Sequence, residues 1–446
     1  MSTTARISTF ASLLASLLAL LAAAPGLARA QQRAPAAESL DLGALQAEAV
    51  ARDPRARERD LLAAQSALRQ RSIAADRLPT LGVNAQGQYQ SDVITLPFTL
   101  PGGVAIPTPP HTTYDAHLDA RESLFDPTLG GRRAVERAQL AQSEAQLQTS
   151  LYTLRENVND AFFTALAMQA QSGETETALL DLEAQLGVAA ARVRQGAALP
   201  GDSAILAAEL LRRRQTLAEL AANRDAALQV LGALTGHAID STDALTLPDL
   251  APAVARARAS SGSTSGRPEY EQFARSRAVL AAQRASAAAR DLPRVSAFGR
   301  AGYGRPGLNP LAQDFNSYWL AGVLVEWAPW NWGTTGRDRE VLALQQQAVS
   351  SEEDAFRDAI ERGVVHDLAT IDRLERALGE DETIIALREQ VLHETQLRFG
   401  EGVITSAEYV DRQTDLLAAR LARASHRVEL AQARAHYLTT IGVEVR

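Results

Sequence analysis

Two apolar rhythms run through this chain, one of seven residues and one of two. Val364, Ile371, Leu378, Ile385, Leu392 and Phe399 stand seven apart without a break, which is the seam of a helix lying along another helix. From Gly336 to Phe399 this predicts roughly 64 helical residues, a rod on the order of 95 Å at about 1.5 Å per residue. The rod stops within RFGEGVITSAEYVDRQTDLL, residues 398–417, where the pattern turns and starts back. Upstream, Leu140, Leu147 and Leu154, then Leu179, Leu186 and Val193, keep the same spacing in a run that starts after Gly131 and ends at VRQGAALPGDSAILAAELL. The pattern predicts one long helical hairpin, present twice.

The period of two occupies four short segments. Leu81, Val83, Ala85, Gly87 and Tyr89 alternate with Asn84, Gln86, Gln88 and Gln90. Tyr114, Ala116, Leu118, Ala120 and Leu124 alternate with Asp115, His117, Asp119, Arg121 and Ser123. Val295, Ala297, Gly299, Ala301 and Tyr303 repeat the first pattern, and Trp319, Ala321, Val323, Val325 and Trp327 form one face of the last. Such alternation predicts strands with one apolar face. Two sheets fit it: a soluble antiparallel sheet wetted on one side, or part of an outer-membrane barrel with aromatics near the strand ends. Four strands cannot close a barrel, since the smallest need about eight, so a spanning sheet would have to be pooled from several chains.

Landmarks pair across the chain at fixed offsets. Pro54 and Pro268 stand 214 residues apart, as do Leu78-Pro79 and Leu292-Pro293. Gly196 and Gly402 stand 206 apart, as do Leu210-Leu211 and Leu416-Leu417, and Gly236 and Gly442. The chain is thus read as a tandem duplication: a first repeat at 31–240, a linker at 241–267 and a second repeat at 268–446. Each repeat runs helix, two strands, long helix, turn, returning helix. The link from Leu247 to Arg267 carries an SSGSTSG core with flexible composition.

Composition sharpens this picture in three places. Aromatics are 5% while hydrophobic residues are 46%, the balance of long packed helices rather than of an aromatic core. A net charge of −8, with arginine supplying all the formal positive charge, gives no reason to expect nucleic acid as a partner. Cysteine is absent, which excludes disulfides, thiolate metal sites and an acylated lipoprotein anchor. At the start, Arg6, an apolar run from Ala11 to Ala24 and Ala28-Arg29-Ala30 make residues 1–30 a secretory signal peptide, with cleavage expected before Gln31. An uncleaved anchor would need about 20 spanning residues, and Pro25-Gly26 interrupts the run.

Taken together, the RPEY start at Arg267 to Tyr270, the Leu-Pro before each first strand, LFDPTLGGRR and EWAPWNWGTTGR between strand and long helix, and the Phe-x-x-Gly turn at Phe399 to Gly402 carry a resemblance. From about Leu40 to Gly442 the chain resembles the TolC-like outer membrane factor family, the exit ducts of drug-efflux pumps and type I secretion systems. The resemblance implies a mainly α fold with a small β part. In a homotrimer, twelve strands would form one outer-membrane barrel in contact with lipid, and twelve helices would continue it as a periplasmic tunnel. Implied partners are a periplasmic adaptor and an inner-membrane transporter of RND, ABC or MFS type. The other reading of the long hairpins is a periplasmic coiled-coil scaffold or adaptor without a pore. Adaptors, however, carry one hairpin flanked by compact β-rich domains.

Under the resemblance, Glu408 and Asp411 are positions of carboxylates that ring the periplasmic mouth, and Asp415 and Asp202 extend the set. Helix-start chemistry competes for some of them, because Thr405-x-x-Glu408 is a capping box and early carboxylates suit a helix N-terminus. Gly196, Gly402, Phe399 and Val403 are the expected adaptor-contact tips. Tyr89, Tyr114, Tyr303, Trp319, Trp327 and Trp330 are the expected aromatic girdle. Some family members latch the mouth with a tyrosine and an arginine where this chain has Phe399 and Ile404. No catalytic, cofactor or metal site is expected. Gly302-x-Gly304-x-x-Gly307 fits a dinucleotide pattern but is followed by no helix, and the seven histidines show no ligand spacing.

Overall fold

A computed structural model describes residues 40–94, 108–259 and 266–444. The expected signal peptide and most of the SSGSTSG core lie outside the described residues. In chain order the helices are α1 (Leu42–Arg52), α2 (Glu58–Ala75), α3 (Thr128–Arg194), α4 (Pro200–Thr235), α5 (Ala251–Ala259), α6 (Pro268–Ala288), α7 (Thr334–Gly400) and α8 (Ser406–Thr440). The strands are β1 (Thr80–Tyr89), β2 (Thr112–Phe125), β3 (Arg294–Arg305) and β4 (Asn316–Glu326).

Both long helices have 67 residues, which at 1.5 Å per residue is about 100 Å. Each begins a turn earlier than the glycines suggested. At α3 the Asp126 carboxylate accepts from the Thr128 N–H at 2.8 Å and from its hydroxyl at 2.7 Å. This satisfies orphan donors that would otherwise delay the helix. Gly131, read as punctuation before α3, lies inside it. A Cβ there would stand 2.8 Å from the Ser286 backbone, so the glycine gives α6 room to cross α3. At α7, Asn331 Oδ1 accepts from the Gly333 N–H at 3.1 Å, and Gly336 is again helical.

Both long helices end in the same way. Gly196 and Gly402 take φ of +73° and +75°. The next amide reaches back five residues, Ala197 N–H to Arg192 C=O at 2.8 Å and Val403 N–H to Arg398 C=O at 3.0 Å. This is a Schellman turn, which needs a left-handed residue and therefore favours glycine. The linker holds more structure than its composition suggested. Within it Asp249 accepts from the Ala251 N–H at 3.2 Å, Pro252 suits the first helical turn, and α5 buries Val254 and Ala257.

The strands form one antiparallel sheet in the order β1-β2-β3-β4. Its register puts Asn84, His117, Gly302 and Tyr318 in one row, and Val83, Leu118, Ala301 and Trp319 in the next. The main core lies near the middle of the long helices, where α1 and α5 pack around α3, α4, α7 and α8. Phe162, Phe163, Leu228, Leu231, Ile371, Leu374 and Leu438 are almost completely buried there. A second, smaller core gathers Leu182, Ala189, Leu206, Leu210, Phe399 and Tyr409 behind the two turns.

Candidate functional site

The two Schellman turns come side by side because the first hairpin caps both helices of the second. Arg192, in the last turn of α3, donates to the Phe399 carbonyl at 2.9 Å and to the Gly400 carbonyl, a cation set at the negative end of α7. Asp202 accepts from the Leu199 N–H at the start of α4 and from the Ser406 N–H at the start of α8, both at 3.3 Å. Asp202 is therefore a double N-cap, a role the sequence reading gave only to the start of its own helix.

The other three carboxylates separate by environment. Asp415 is clamped between Arg388 on α7 at 2.7 Å and Arg412 at 3.2 Å, so its charge is compensated. Glu408 and Asp411 are exposed, and among the described residues neither carboxylate has a partner within the chain. Only half of the expected capping box forms: Thr405 Oγ1 accepts from the Glu408 N–H at 3.3 Å.

At the tips themselves Gly196 and Gly402 have no atoms within 4 Å of where a Cβ would be, and Val403 is 68% exposed. Phe399 is not a surface residue. It is buried and stacks on Tyr409, with centroids 5.0 Å apart and planes 18° apart, which corrects its place among the contact residues. Exposed Leu199 is the tip residue that sequence reasoning missed.

Beneath the tips lies a polar cluster that no pattern announced. Tyr409 donates to Asp181 at 3.0 Å, and Gln413 donates to the same carboxylate. Burial, then the Asp181 charge, pushes the Tyr409 phenol well above its ordinary value. Arg213 is fully buried and donates to Glu209 at 2.8 Å, to the Ala178 carbonyl at 3.2 Å and to Thr414 at 3.5 Å. Burial pulls the Glu209 carboxyl up, but hydrogen bonds from Arg212 and Arg213 outweigh it and hold the group below its usual range. Thus α3, α4 and α8 are joined by buried polar contacts whose loss would strand a charge.

At the other end of the helices, one face of the sheet is apolar and open. Val83 is 83% exposed and Trp319 76%, with Leu81, Leu118, Val323 and Val325 beside them. Tyr114 and Tyr303 stack on Phe315 at one rim, with centroids 6.1 and 5.6 Å apart, and Tyr89 ends β1 nearby. Trp327 lies just past β4 at the opposite rim and donates to the Asp291 carbonyl at 3.0 Å. Trp330 is T-shaped against Trp332, which is also exposed and was not singled out from the sequence. Trp319 and Trp327 are separated by about 26 Å at 3.3 Å per strand residue, close to the apolar height of a spanning barrel.

The opposite face is polar. The His117 ring lies between Asp115 at 2.5 Å and Asp119 at 3.0 Å. Arg300 and Asn84 both donate to Asp119 at 2.7 Å, and Tyr318 donates to Asp115 at 2.5 Å. Gly302 and Gly304, two members of the dinucleotide-like pattern, are strand residues that clear this space. A Cβ at Gly302 would meet Tyr318 at 2.6 Å, and one at Gly304 would meet Asp115 at 2.8 Å. Among the described residues no acid and histidine group is placed to hold a metal ion, and no helix is long and apolar enough to cross a membrane.

No family model and no curated protein matches the sequence. Solved structures do match along nearly the whole chain. CusC, whose structures concern conformational changes accompanying folding and transmembrane channel formation, aligns with a TM-score of 0.66 and 16% identity over 91% of this chain and 93% of its own. The outer membrane protein VceC from Vibrio cholerae gives 0.64 and 15% over 91% and 97%. The MtrE outer membrane channel of Neisseria gonorrhoeae, in its open state, gives 0.63 and 18% over 91% and 89%. The chain has the fold of these proteins: long helical hairpins carrying a small antiparallel sheet.

Proposed function

We propose that this chain, having the fold of outer membrane channels, is one protomer of a trimeric, non-enzymatic duct in the outer membrane, with its helices continuing into the periplasm. The observation that carries this reading is the sheet. It presents an exposed apolar face with aromatics at both rims, a polar face behind it and, among the described residues, two unpaired edges at β1 and β4. Such edges demand partners, and copies of the same sheet supply them. Three copies give twelve strands, whereas two would give a minimal barrel too narrow for large solutes.

On this reading the apolar face meets lipid and the polar face lines the lumen. Glu408 and Asp411 of three copies face the periplasmic entrance as uncompensated carboxylates, so cations are favoured there and anions repelled. Gly196, Gly402, Val403 and Leu199 form the surface offered to a periplasmic adaptor. An inner-membrane transporter acting through that adaptor supplies the energy for moving small molecules or unfolded protein. The mass of the detergent-solubilised protein tests the assembly. A trimer with heat-modifiable gel mobility is expected, and a monomer ends the duct reading.

A further inference from the structure

We infer that two glycines set the bore of the barrel. Gly302 and Gly322 give flat berths to the rings of Tyr318 and Phe298, which would otherwise stand up from the polar face and limit the size of the solutes that pass. The inference rests on the duct reading, which turns this face toward the lumen. It gives a size-selecting role to residues of the sheet, far from the helical tips.

The two berths are reciprocal. Tyr318 on β4 stands directly across from Gly302 on β3, and Phe298 on β3 stands directly across from Gly322 on β4. Each strand gives one ring and one glycine, about 13 Å apart at 3.3 Å per strand residue. A Cβ at Gly302 would stand 2.6 Å from Tyr318 Cζ, and one at Gly322 would stand 2.7 Å from Phe298 Cζ and 2.9 Å from its Cε1. The rings therefore lie over the glycine backbone, in the volume a side chain would take. Both are half-buried, whereas Trp319 on the apolar face is open to its surroundings. Tyr318 is held down further by its hydrogen bond to Asp115 on β2 at 2.5 Å, which carries the ring across β3.

Glycine weakens a strand interior, since it adds backbone freedom and packs nothing, so its place there needs a reason. A ring laid over it recovers part of the loss by covering the backbone. Gly87 shows that pairing on the apolar face, where Tyr114 lies across from it and a Cβ would stand 3.3 and 3.4 Å from the ring. An alanine fits there after a small shift. Neither berth on the polar face leaves that room. Filling one lifts its ring off the sheet, because the backbone blocks every other direction, and on this face that means toward the barrel axis. Three copies carry six such rings, and inward side chains readily fill a small barrel. The glycines thus keep a passage open that strand number alone does not secure.

The test is polymer exclusion by the full-length protein in planar bilayers, with polyethylene glycols of graded mass added on the barrel side. A polymer that enters lowers the single-channel conductance, and one that is excluded does not. Polymer on this side meets the barrel before the helical tunnel, so the cut-off reads the barrel. Gly322 is the cleaner position, since its three nearest atoms all belong to Phe298, whereas Gly302 also faces the His117 Cβ at 2.8 Å. Gly322→Ala should lower the cut-off mass by about 1.5-fold, Phe298→Ala added to it should restore the wild-type value, and Gly87→Ala should leave it unchanged. An unchanged cut-off in Gly322→Ala, a loss that persists in the double variant, or an equal loss in Gly87→Ala would each overturn the inference. Should Gly322→Ala fail to assemble, Leu320→Phe decides the matter, because it sets a ring on the same face opposite Arg300 rather than a glycine. That ring should lower the cut-off, and no change would remove ring posture from the bore. Absence of any conductance in the wild type would instead sink the duct reading, and the inference with it.

Discussion

The two hairpins share their turns and differ in their seams. Where α3 meets α4, the contact is mainly apolar, with Leu182 and Ala189 against Leu206 and Leu210, and Phe162 and Leu166 near Leu228 and Leu231. Among the described residues one ion pair spans it, Arg214 to Glu183 at 2.6 Å. Where α7 meets α8, six ion pairs cross the seam: Asp367 to His436, Glu375 to Arg434, Asp381 to His426, Glu382 to Arg423, Glu389 to Arg420 and Arg388 to Asp415. Buried apolar residues are sparser on α7, chiefly Ile371, Leu374, Ile385 and Phe399, while Val341, Leu344, Val365, Leu387 and Val391 stay exposed. Duplicated elements have thus settled into two kinds of cohesion, one mainly apolar and one that leans more on charges and so responds more to salt and pH.

The largest expected effect breaks the apolar side. Phe162→Ala removes a fully buried ring packed edge-on against Phe163, 5.3 Å between centroids, and should destabilise by about 3–5 kcal/mol. Arg420→Ala on the other hairpin, a half-exposed pair, should lose no more than about 1 kcal/mol. Urea unfolding followed by helix signal compares them, and equal losses would erase the distinction.

On the duct reading, Gly402→Trp at the tips should stop export while leaving the proposed trimer assembled. The left-handed φ strains any other L residue by about 1–2 kcal/mol, but the space around the position is open. Normal export with normal assembly would leave the glycine as a helix terminator only. A smaller effect is expected of Asp411→Asn, which should reduce cation selectivity and divalent block at low salt and lose that difference toward molar salt. Asp415→Asn should also weaken cation preference, but by freeing Arg388 and Arg412, so it alone should loosen α7 from α8.

The smallest effect is one of pH. A hydrogen bond to Asp367 raises the His436 ring above its ordinary value despite some burial. A raised folded value means the pairing contributes fully below the ordinary histidine range and fades as pH climbs through the folded value. Because the ring is more than half exposed, the change should be slight. Urea midpoints should fall modestly across neutral pH in the wild type and stay level in His436→Gln.

Periodicity made the rods and strands legible, because it is written in consecutive residues. Ile371, Ile385 and Phe399 of the heptad series are buried as the spacing implied, and Leu118 and Trp319 face outward as the alternation implied. What stayed hidden was whatever joins distant residues. Nothing near Asp202 reveals that it caps a helix starting 204 residues later, nor that Arg388 waits for Asp415 across a turn. Phe399 looked like a tip residue because it lies beside the turn in sequence, whereas Tyr409 comes back along α8 to cover it. Gly131 and Gly302 were read as local punctuation or motif, and their reason is a neighbouring chain segment that needs the space.

The unpaired edges of the sheet set the rule by which copies join. β1 and β4 are different strands, so an edge of one copy meets the opposite edge of the next in a head-to-tail contact, not a two-fold one. Contacts of that kind close into a ring or grow without limit, and strand chemistry alone does not choose between them. On the three-copy reading the choice falls to curvature: each added sheet would turn the growing wall by a third of a circle before a third β4 finds the first β1. On the duct reading the helices that meet one end of every strand hold that angle, so the number of subunits would be counted by the packing of α3 and α7 beneath the sheet.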